Sequence, residues 1–204
     1  MRIFRPGFLM RRFYSGAIFR TGTKEKVLCL TFDDGPDPVS TPKILEVLAG
    51  QNVRAIFFCT GSAAEKYPEL TGHIRSGGHL IGNHGYRHAD GWRTSCKSYI
   101  ENVIRAGPFT SDRLFRPPYG HLTPAQYSSL KESFKIVFWD IMPYDYDDRF
   151  GAMNSLRILV RLIRPGAVIA LHDKHNSSAP FFLDKFIDLA AAAGYSFALP
   201  DLVM

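Results

Sequence analysis

The 204-residue sequence contains no apolar run that approaches the ~20 residues of a membrane-spanning helix. Its cysteines, Cys29, Cys59 and Cys96, are odd in number and include no CxxC pair, which argues against a disulfide framework or a cysteine metal site. Low-complexity tracts and linkers are also missing, so one globular domain is the simplest organisation. Arg and Pro interrupt every hydrophobic stretch of the first 20 residues, and we expect no secretory signal and a cytoplasmic location.

The chain has an excess of positive charge, with 25 Lys and Arg against 19 Asp and Glu and a net charge of +6. Such a balance favours anionic surroundings. The basic residues are scattered and form no nucleic-acid-binding motif, so we expect no nucleic-acid partner. Residues 1–25 form a basic, aromatic segment for which two alternatives stay open. It either contacts an anionic membrane surface, as a peripheral attachment, or packs as a short helix on the domain.

From residue 26 onward, strand-like hydrophobic runs alternate with segments of helical periodicity. The predicted strands are 26–32, 54–61, 79–85, 113–120, 135–142, 167–173 and 195–200. The predicted helices are 41–50, 63–76, 96–107, 123–133, 154–164 and 181–194. Strands that are hydrophobic on both faces are typical of a parallel sheet covered by helices. The pattern therefore predicts one α/β domain over 26–204, either a barrel or an open doubly wound sheet.

The stretch TFDDGPDP (31–38) places two adjacent carboxylates, Asp33 and Asp34, at the end of the first strand. Neighbouring carboxylates repel each other, so the pair indicates either a solvated turn or a site that contains a cation. In NHGYRH (83–88), His84 and His88 have the spacing that puts two imidazoles on one side of a helical turn. Two His and one carboxylate suit Zn²⁺ or another divalent metal, and the second carboxylate would stay free as a base.

Further polar residues follow later strands. Arg116 and Tyr119 come at the fourth predicted strand, Asp145 follows the fifth, and His172 and Asp173 end the sixth. In parallel α/β folds, functional side chains collect at the C-terminal ends of the strands. We therefore expect these residues to converge on one face of the domain.

Taken together, TFDDGP (31–36), the HxxxH pair, RPPY (116–119) and LHD (171–173) resemble the polysaccharide deacetylases in order and spacing. This family is also called the NodB-homology domain or carbohydrate esterase family 4. The resemblance spans residues 26 to about 200. It implies a distorted (β/α)7 barrel and metal-dependent hydrolysis of acetyl groups on carbohydrates, with N-acetyl favoured over O-acetyl.

The resemblance also implies a role for each matching residue. It makes Asp33 the catalytic base and Arg116 the partner that adjusts its acidity. It makes His172 the general acid, Asp145 the carboxylate that orients His172, and the backbone N–H of Tyr119 an oxyanion donor. The implied metal ligands are Asp34, His84 and His88. The metal is expected to be Zn²⁺, with Co²⁺, Ni²⁺ or Mn²⁺ as alternatives. Such a metal lowers the pKa of a bound water and polarises the acetyl carbonyl.

Five positions depart from the family pattern. Gly85 replaces the usual Ser or Thr, and Ala89 replaces Pro or Ser, which predicts a missing loop hydrogen bond and a lower metal affinity. Met142 and Tyr146 stand where Asp and Trp are common. Ala170 replaces a Leu that helps to form the acetate-methyl pocket, so we expect a roomier acyl site.

Aromatic residues outside these motifs are candidates for sugar contacts. Trp92 and Tyr86 lie in the polar loop after the third predicted strand and are the better candidates for stacking on a sugar ring. Trp139 is expected to pack in the core instead. Asp37 and Asp173 are expected to support a turn or a neighbouring site residue rather than to catalyse.

Three functions are compatible with this residue set. The first is a deacetylase that acts on an N-acetylglucosamine-containing glycan. The second is a deacylase or deformylase of a lipid-linked or small amino sugar at the membrane face. The third is an inactive glycan-binding module, and the presence of Asp33, Arg116 and His172 argues against it.

Overall fold

A computed structural model of the chain describes residues 3–110 and 113–199. Within these ranges the strands are β1 (Val27–Asp33), β2 (Ile56–Cys59), β3 (Leu80–Asn83), β4 (Leu114–Phe115), β5 (Lys135–Ile136), β6 (Val168–His172) and β7 (Ser196–Phe197). The α-helices are α1 (Phe8–Phe13), α2 (Ser40–Gly50), α3 (Gly61–Lys66), α4 (Pro68–Ser76), α5 (Cys96–Ala106), α6 (Pro124–Leu130), α7 (Ala152–Leu162) and α8 (Leu183–Ala192). Short 3₁₀ helices occur at Gly107–Phe109, Pro118–Gly120 and Ala179–Phe181.

All strand pairs are parallel, and the strand order is β5-β4-β3-β2-β1-β6, with β7 paired to the start of β1. The sheet curls into a half-barrel surrounded by helices. The predicted distorted (β/α)7 barrel is thereby confirmed in preference to an open doubly wound sheet. In this register Asp33 on β1 is the direct partner of His172 on β6, so two predicted site residues end neighbouring strands.

Both faces of the central strand β1 are buried. Leu28, Leu30 and Phe32 pack in one cluster with apolar residues of α2 and α8. Cys29 lies in a second cluster on the other face, and burial raises the pKa of its thiol to about 12, so it packs as a small apolar side chain. Full burial of a Leu or Phe side chain contributes about 1.5–3 kcal/mol. This two-sided core makes β1 a rigid base for the carboxylates at its end.

Two sequence predictions about the elements are corrected by the structure. The helix predicted over 63–76 is two helices, because Pro68 has no backbone N–H to continue α3 and instead begins α4. The strands predicted over 113–120 and 135–142 pair over only two residues each, β4 and β5.

The half-barrel is open between β5 and β6, which are not paired as strands. We call this opening the seam. Residues 137–141 cross it, and Ile141 forms an isolated bridge with Ile169 of β6. The N-terminal strap, which we define as residues 3–14, includes α1 and packs against the crossing segment. Of the two alternatives for the N-terminus, the structure therefore contains the short helix packed on the domain.

Ion pairs to the buried carboxylate of Asp140 attach the strap to the domain. Arg5 Nη1 lies 2.9 Å from Asp140 Oδ2, Arg11 Nη2 lies 2.7 Å from Oδ1, and Arg164 Nε lies 2.7 Å from Oδ2. Burial acts to raise the pKa of Asp140, but hydrogen bonds from Arg164 and Arg11 outweigh it, and the pKa lies below its ordinary value. Asp140 is therefore the point at which the strap, the crossing segment and the chain after α7 meet.

Replacing Asp140→Asn tests this attachment, since it removes the charge while keeping the shape of the side chain. We expect the free energy of unfolding to fall by about 3–5 kcal/mol, because three guanidinium groups lose their counter-charge. Thermal unfolding followed by circular dichroism measures the change. Asp148→Asn, the same substitution at an exposed position, is the control and should stay within about 0.5 kcal/mol of the wild type. Equal unfolding midpoints for both variants would contradict the assignment.

Candidate metal and catalytic site

A cavity of ≈ 520 Å³ opens where the C-terminal ends of the strands meet. Six of the predicted site residues line it: Asp33, Asp34, His84, His88, Tyr119 and His172. The other two, Arg116 and Asp145, are fully buried and contact Asp33 and His172 from behind. The structure thus brings together all eight residues that the sequence singled out.

Asp34, His84 and His88 form a cluster in which one ligand atom from each residue lies within 4.8 Å of the others. Asp34 Oδ1 lies 3.5 Å from His84 Nε2 and 3.2 Å from His88 Nε2. Among the described residues this buried oxygen has no hydrogen-bond partner, which is costly for a carboxylate unless a cation compensates it. Two imidazole nitrogens and a carboxylate oxygen are a donor set that suits Zn²⁺. The residues present therefore fit a divalent metal.

The backbone orients the members of this cluster. His84 directly follows β3, and its Nδ1 lies 2.8 Å from the carbonyl oxygen of Arg116, which leaves Nε2 for the cluster. Asp34 has a φ of 82°, a left-handed conformation that costs about 1–3 kcal/mol in a residue other than glycine. This turn after β1 separates the carboxylate of Asp34 from that of Asp33. Burial acts to raise the pKa of Asp34, but His84 and His88 lower it below its ordinary range.

The loop between the two histidines is held by residues that the sequence analysis missed. Gly85 N–H donates to Asn83 Oδ1 at 2.7 Å, and the Asn102 amide bonds both the N–H and the carbonyl of Arg87. Gly85 has a φ of +77°, and a Cβ there would lie 2.6 Å from Asn102 Nδ2. The two asparagines therefore brace the loop, and the lower metal affinity expected from Gly85 and Ala89 stays a prediction. Asn102 lies on α5, so no local motif points to it.

Arg116 holds Asp33 from inside the barrel. Its Nη1 donates to Asp33 Oδ1 at 2.7 Å and to Thr31 Oγ1 at 2.6 Å. Its Nε and Nη2 donate to the carbonyl oxygens of Val137 at 3.1 Å and Phe138 at 2.8 Å. A buried guanidinium needs partners on all sides, and here each of its three nitrogens donates at least one hydrogen bond. Asp33 is thus fixed by one oxygen, and its other oxygen is available to the cavity.

His172 is held in the same manner by Asp145. His172 Nδ1 lies 2.9 Å from Asp145 Oδ1, and the backbone N–H of His172 donates to Oδ2 at 2.7 Å. Ser177 Oγ also donates to Oδ2, at 2.8 Å. Burial acts to lower the pKa of His172, but the charge of Asp145 and its hydrogen bond outweigh it, and the pKa is raised. The second ring nitrogen is left for chemistry in the cavity.

Tyr119 lies in a strained turn at the cavity rim. Its φ is 59°, and its ring lies 4.3 Å from that of His88. The following Gly120 has a φ of +70°, and a Cβ there would lie 2.6 Å from the Trp139 ring. The turn therefore depends on glycine at 120, and it presents the Tyr119 backbone near the metal-ligand cluster.

Lys174 is a cavity residue that the sequence analysis missed. Its Nζ lies 3.4 Å from Asp34 Oδ2 and 5.4 Å from the centre of the Tyr146 ring. The signal for it was its position, one residue beyond the LHD motif at the end of a strand. Tyr146 also lines the cavity, and its ring lies 4.6 Å from the ring of His172.

Of the two aromatic residues predicted to stack on a sugar, one is accessible. Trp92 is 64% exposed and stacks on His121 with a centroid distance of 3.5 Å and an interplanar angle of 8°. Tyr86 is buried, its hydroxyl donates to Glu65 at 2.6 Å, and the guanidinium of Arg105 covers its ring at 3.7 Å. The prediction for Tyr86 is therefore wrong.

The predicted supporting residues lie as expected. Asp37 Oδ1 accepts from two backbone N–H groups at the start of α2, and Asp173 Oδ2 accepts from Thr41 Oγ1 at 2.6 Å. Burial raises the pKa of Asp173 to about 7. A Cβ at Gly35 would lie 2.2 Å from Asp173 Oδ2, so the turn after β1 requires glycine there.

Ala170, which was expected to shape the acyl site, lies in a core cluster beside the cavity. Trp139 is 8% exposed and belongs to a core cluster that also contains the fully buried Ala170, with Met142 packed against it. Core packing of Trp139 is thus as expected, although its edge reaches the cavity. The roomier acyl site stays a prediction.

The sequence and the fold of this chain are similar to those of known deacetylases. A family model described as polysaccharide deacetylase matches residues 20–133. The chain is 33% identical over 186 residues to a peptidoglycan-N-acetylglucosamine deacetylase of Bacillus cereus, covering 86% of this chain and 67% of that protein. It is 36% identical over 168 residues to a chitooligosaccharide deacetylase of Sinorhizobium fredii, covering 78% of each. The solved structure of the Bc1960 peptidoglycan N-acetylglucosamine deacetylase superposes with a TM-score of 0.87 at 30% identity, covering 97% and 96% of the two chains.

Metal titration tests the cluster directly. We expect the purified protein, freed of metal by a chelator, to bind one equivalent of Zn²⁺ or Co²⁺, and His88→Gln to weaken binding by at least ~100-fold because a ligand is lost. Calorimetry and the visible absorption of Co²⁺ measure the affinity. His121→Gln, at a second histidine that lines the cavity, is the matched control and should keep it. Equal affinities in both variants would exclude His88 as a ligand.

Proposed function

The chain belongs to the polysaccharide deacetylase family, and on that premise we propose that it hydrolyses the acetamide of an N-acetylhexosamine unit in a glycan. Peptidoglycan and chitooligosaccharides, which its relatives are named for, are the substrates to test first. One observation carries the proposal. The unpartnered Asp34 Oδ1, the carboxylate of Asp33 and the imidazole of His172 face the same cavity, each held in place by its neighbours.

We assign the metal to Asp34, His84 and His88, with Zn²⁺ preferred and Co²⁺, Ni²⁺ or Mn²⁺ as alternatives. A metal bound there activates a water and polarises the acyl carbonyl. The remaining steps belong to the protein's own side chains. Metal dependence, the identity of the metal and the preference for N-acetyl groups are part of the proposal.

Asp33 acts as the general base in this scheme. Arg116 holds its Oδ1 at 2.7 Å, so the other oxygen takes the proton of the attacking water. As water adds to the acetamide carbon, negative charge develops on the carbonyl oxygen. The backbone N–H of Tyr119 is the proposed donor to that oxygen, and a donor of this kind typically changes the rate by ~10²–10³-fold.

His172 acts as the general acid. Asp145 holds Nδ1 at 2.9 Å and favours the protonated imidazole, so Nε2 carries the proton that the departing amine needs. When the carbon–nitrogen bond breaks, that proton passes to the nitrogen. The products are acetate and a free amino sugar. Asp33 then releases the proton it took from water and neutral His172 takes up a proton from solvent, which restores both groups for the next cycle.

A lipid-linked or small amino sugar is the second candidate substrate. The outer face of α1 exposes Phe8, Leu9 and Phe13 by 76%, 80% and 62%, beside the cationic Arg12. Such a face suits an anionic lipid surface. Over the described residues, no helix is both long and apolar enough to cross a membrane.

Cosedimentation with phosphatidylglycerol vesicles tests the contact between α1 and a lipid surface. Equal vesicle binding by the wild type and by Phe8→Ser/Phe13→Ser would contradict this contact. The cytoplasmic location stays a prediction.

Acetate release from peptidoglycan and chitooligosaccharides, with added Zn²⁺ and with a chelator, tests the proposed chemistry. We expect Asp33→Asn to lower kcat by at least ~10²-fold, because the base is lost, while metal affinity stays within a few fold. Asp148→Asn is the matched control and should keep wild-type activity. A metal-loaded wild type that releases no acetate from any of these glycans would overturn the proposal.

Asp145→Asn tests the orientation of the acid. We expect kcat to fall by ~10²–10⁴-fold with little change in KM, because the amide no longer fixes the protonated form of His172. Ser178→Ala is the control, since the Ser178 hydroxyl bonds the backbone carbonyl of Asp145 rather than its carboxylate. If the loss of apparent kcat equals the loss of folded protein and the unfolding temperature falls, Asp145 matters only for folding.

A further inference from the structure

We propose that the N-terminal strap is a specificity element: its residues 3–10 form the cavity wall at the seam and contact the glycan beside the reacting acetamide. The inference rests on the proposed function for the identity of the substrate. The strap lies outside residues 20–133, the part of the chain that the family model matches. The strap also contains none of the motif residues that resemble the family.

The strap supplies a substantial part of the cavity lining. Ile3, Arg5, Pro6, Gly7 and Met10 line the same cavity as the candidate metal-ligand cluster and His172. The side chains of Ile3, Pro6 and Met10 are apolar, and Arg5 is already bound to Asp140. This wall therefore suits the apolar face of a sugar ring rather than an anionic group.

The strap is attached on both sides of the seam. On one side, the Ile3 N–H donates to the Tyr144 hydroxyl at 3.0 Å, and the Met142 N–H donates to the Phe4 carbonyl at 3.0 Å. On the other side, Met10 lies near Gly120, the residue after Tyr119. A Cβ atom added at Gly120 would lie 3.6 Å from Met10 Cε. The Tyr14 hydroxyl donates to the Leu122 carbonyl just beyond that turn. The strap thus bridges the loops that follow β4 and β5.

The ion pairs at Asp140 make this wall a preformed surface. Arg5 and Arg11 both reach the same buried carboxylate, which fixes the residues between them that face the cavity. A wall that is ordered before substrate arrives lowers the entropy cost of binding. Its expected effect is on substrate affinity, because no strap residue touches Asp33 or His172 in the described contacts.

Gly7 offers a direct test, since it can gain a side chain without strain. Its φ of −65° and ψ of 164° suit any residue, and no heavy atom lies within 4 Å of the position of a Cβ. Gly7→Leu should fold normally and place its side chain in the space beside the wall. We expect KM for chitooligosaccharides to rise about tenfold with kcat within twofold, and Gly7→Ala to lie between wild type and Gly7→Leu.

Two further measurements make the result specific. Gly72→Leu, on the exposed face of α4 with no heavy atom within 4 Å of its Cβ position, is the matched control and should leave KM unchanged. In the Asp33→Asn background, calorimetric titration with chitotetraose should show the same loss of affinity for Gly7→Leu without turnover. Metal affinity should be equal in all variants.

The outcomes separate the two proposals. Turnover by the wild type with the same KM in Gly7→Leu would overturn the strap wall and leave the proposed function standing. An equal rise of KM in Gly72→Leu would also overturn it, because the effect would not be local. A metal-loaded wild type without turnover or glycan binding would overturn the proposed function, and the strap inference with it.

Discussion

The buried guanidinium of Arg116 is the interaction on which the rest of the site depends. It donates hydrogen bonds to Asp33 and Thr31 on β1 and to two carbonyl oxygens of the segment that crosses the seam. The backbone carbonyl oxygen of Arg116 is hydrogen-bonded to His84 Nδ1. One residue therefore positions the candidate base, one candidate metal ligand and the chain that closes the half-barrel. A buried charge of this kind is tolerable because it is paired with Asp33 and each guanidinium nitrogen donates a hydrogen bond. Lysine could not replace it, since an ammonium has no planar fork of donors.

Around Arg116 the buried charges are arranged in compensated groups. Asp145 is balanced by His172, and Asp140 by three arginines. Against this background the Asp34 Oδ1 atom stands out, because it is a buried anionic oxygen that the protein itself leaves without a hydrogen bond among the described residues. Asp173 Oδ1 also lacks a partner, but burial raises the pKa of that carboxyl group to about 7. Asp34 Oδ1 differs because it lies 3.5 Å and 3.2 Å from the Nε2 atoms of His84 and His88, so we interpret it as a ligand kept for a cation. The left-handed backbone at Asp34 points to the same conclusion, since strain of that kind persists where it serves a site.

The sequence was sufficient to predict the strands, their parallel arrangement and the residues that converge at their ends. Those features depend on hydrophobic periodicity and on the rule that parallel strands present their ends together. It was not sufficient for contacts between residues that are distant in the chain. Asn102 braces the histidine loop from α5, and Arg105 covers Tyr86, and neither leaves a local pattern. The division of 63–76 at Pro68, by contrast, was present in the sequence and was overlooked.

The seam explains why a segment outside the shared motifs matters to this chain. Because β5 and β6 do not pair as strands, this side of the half-barrel is closed by residues 137–141, which bridge to β6, and by the strap that packs on them. The motif residues lie at the ends of the strands and on the loops that follow them, where the hydrogen bonds of the sheet leave the backbone little freedom for variation. The strap occupies the open side and is attached mainly through side chains, so its sequence can change without disturbing β1 or Arg116. In such an architecture the residues at the strand ends carry out the reaction, and the segment that covers the seam can determine which glycan binds.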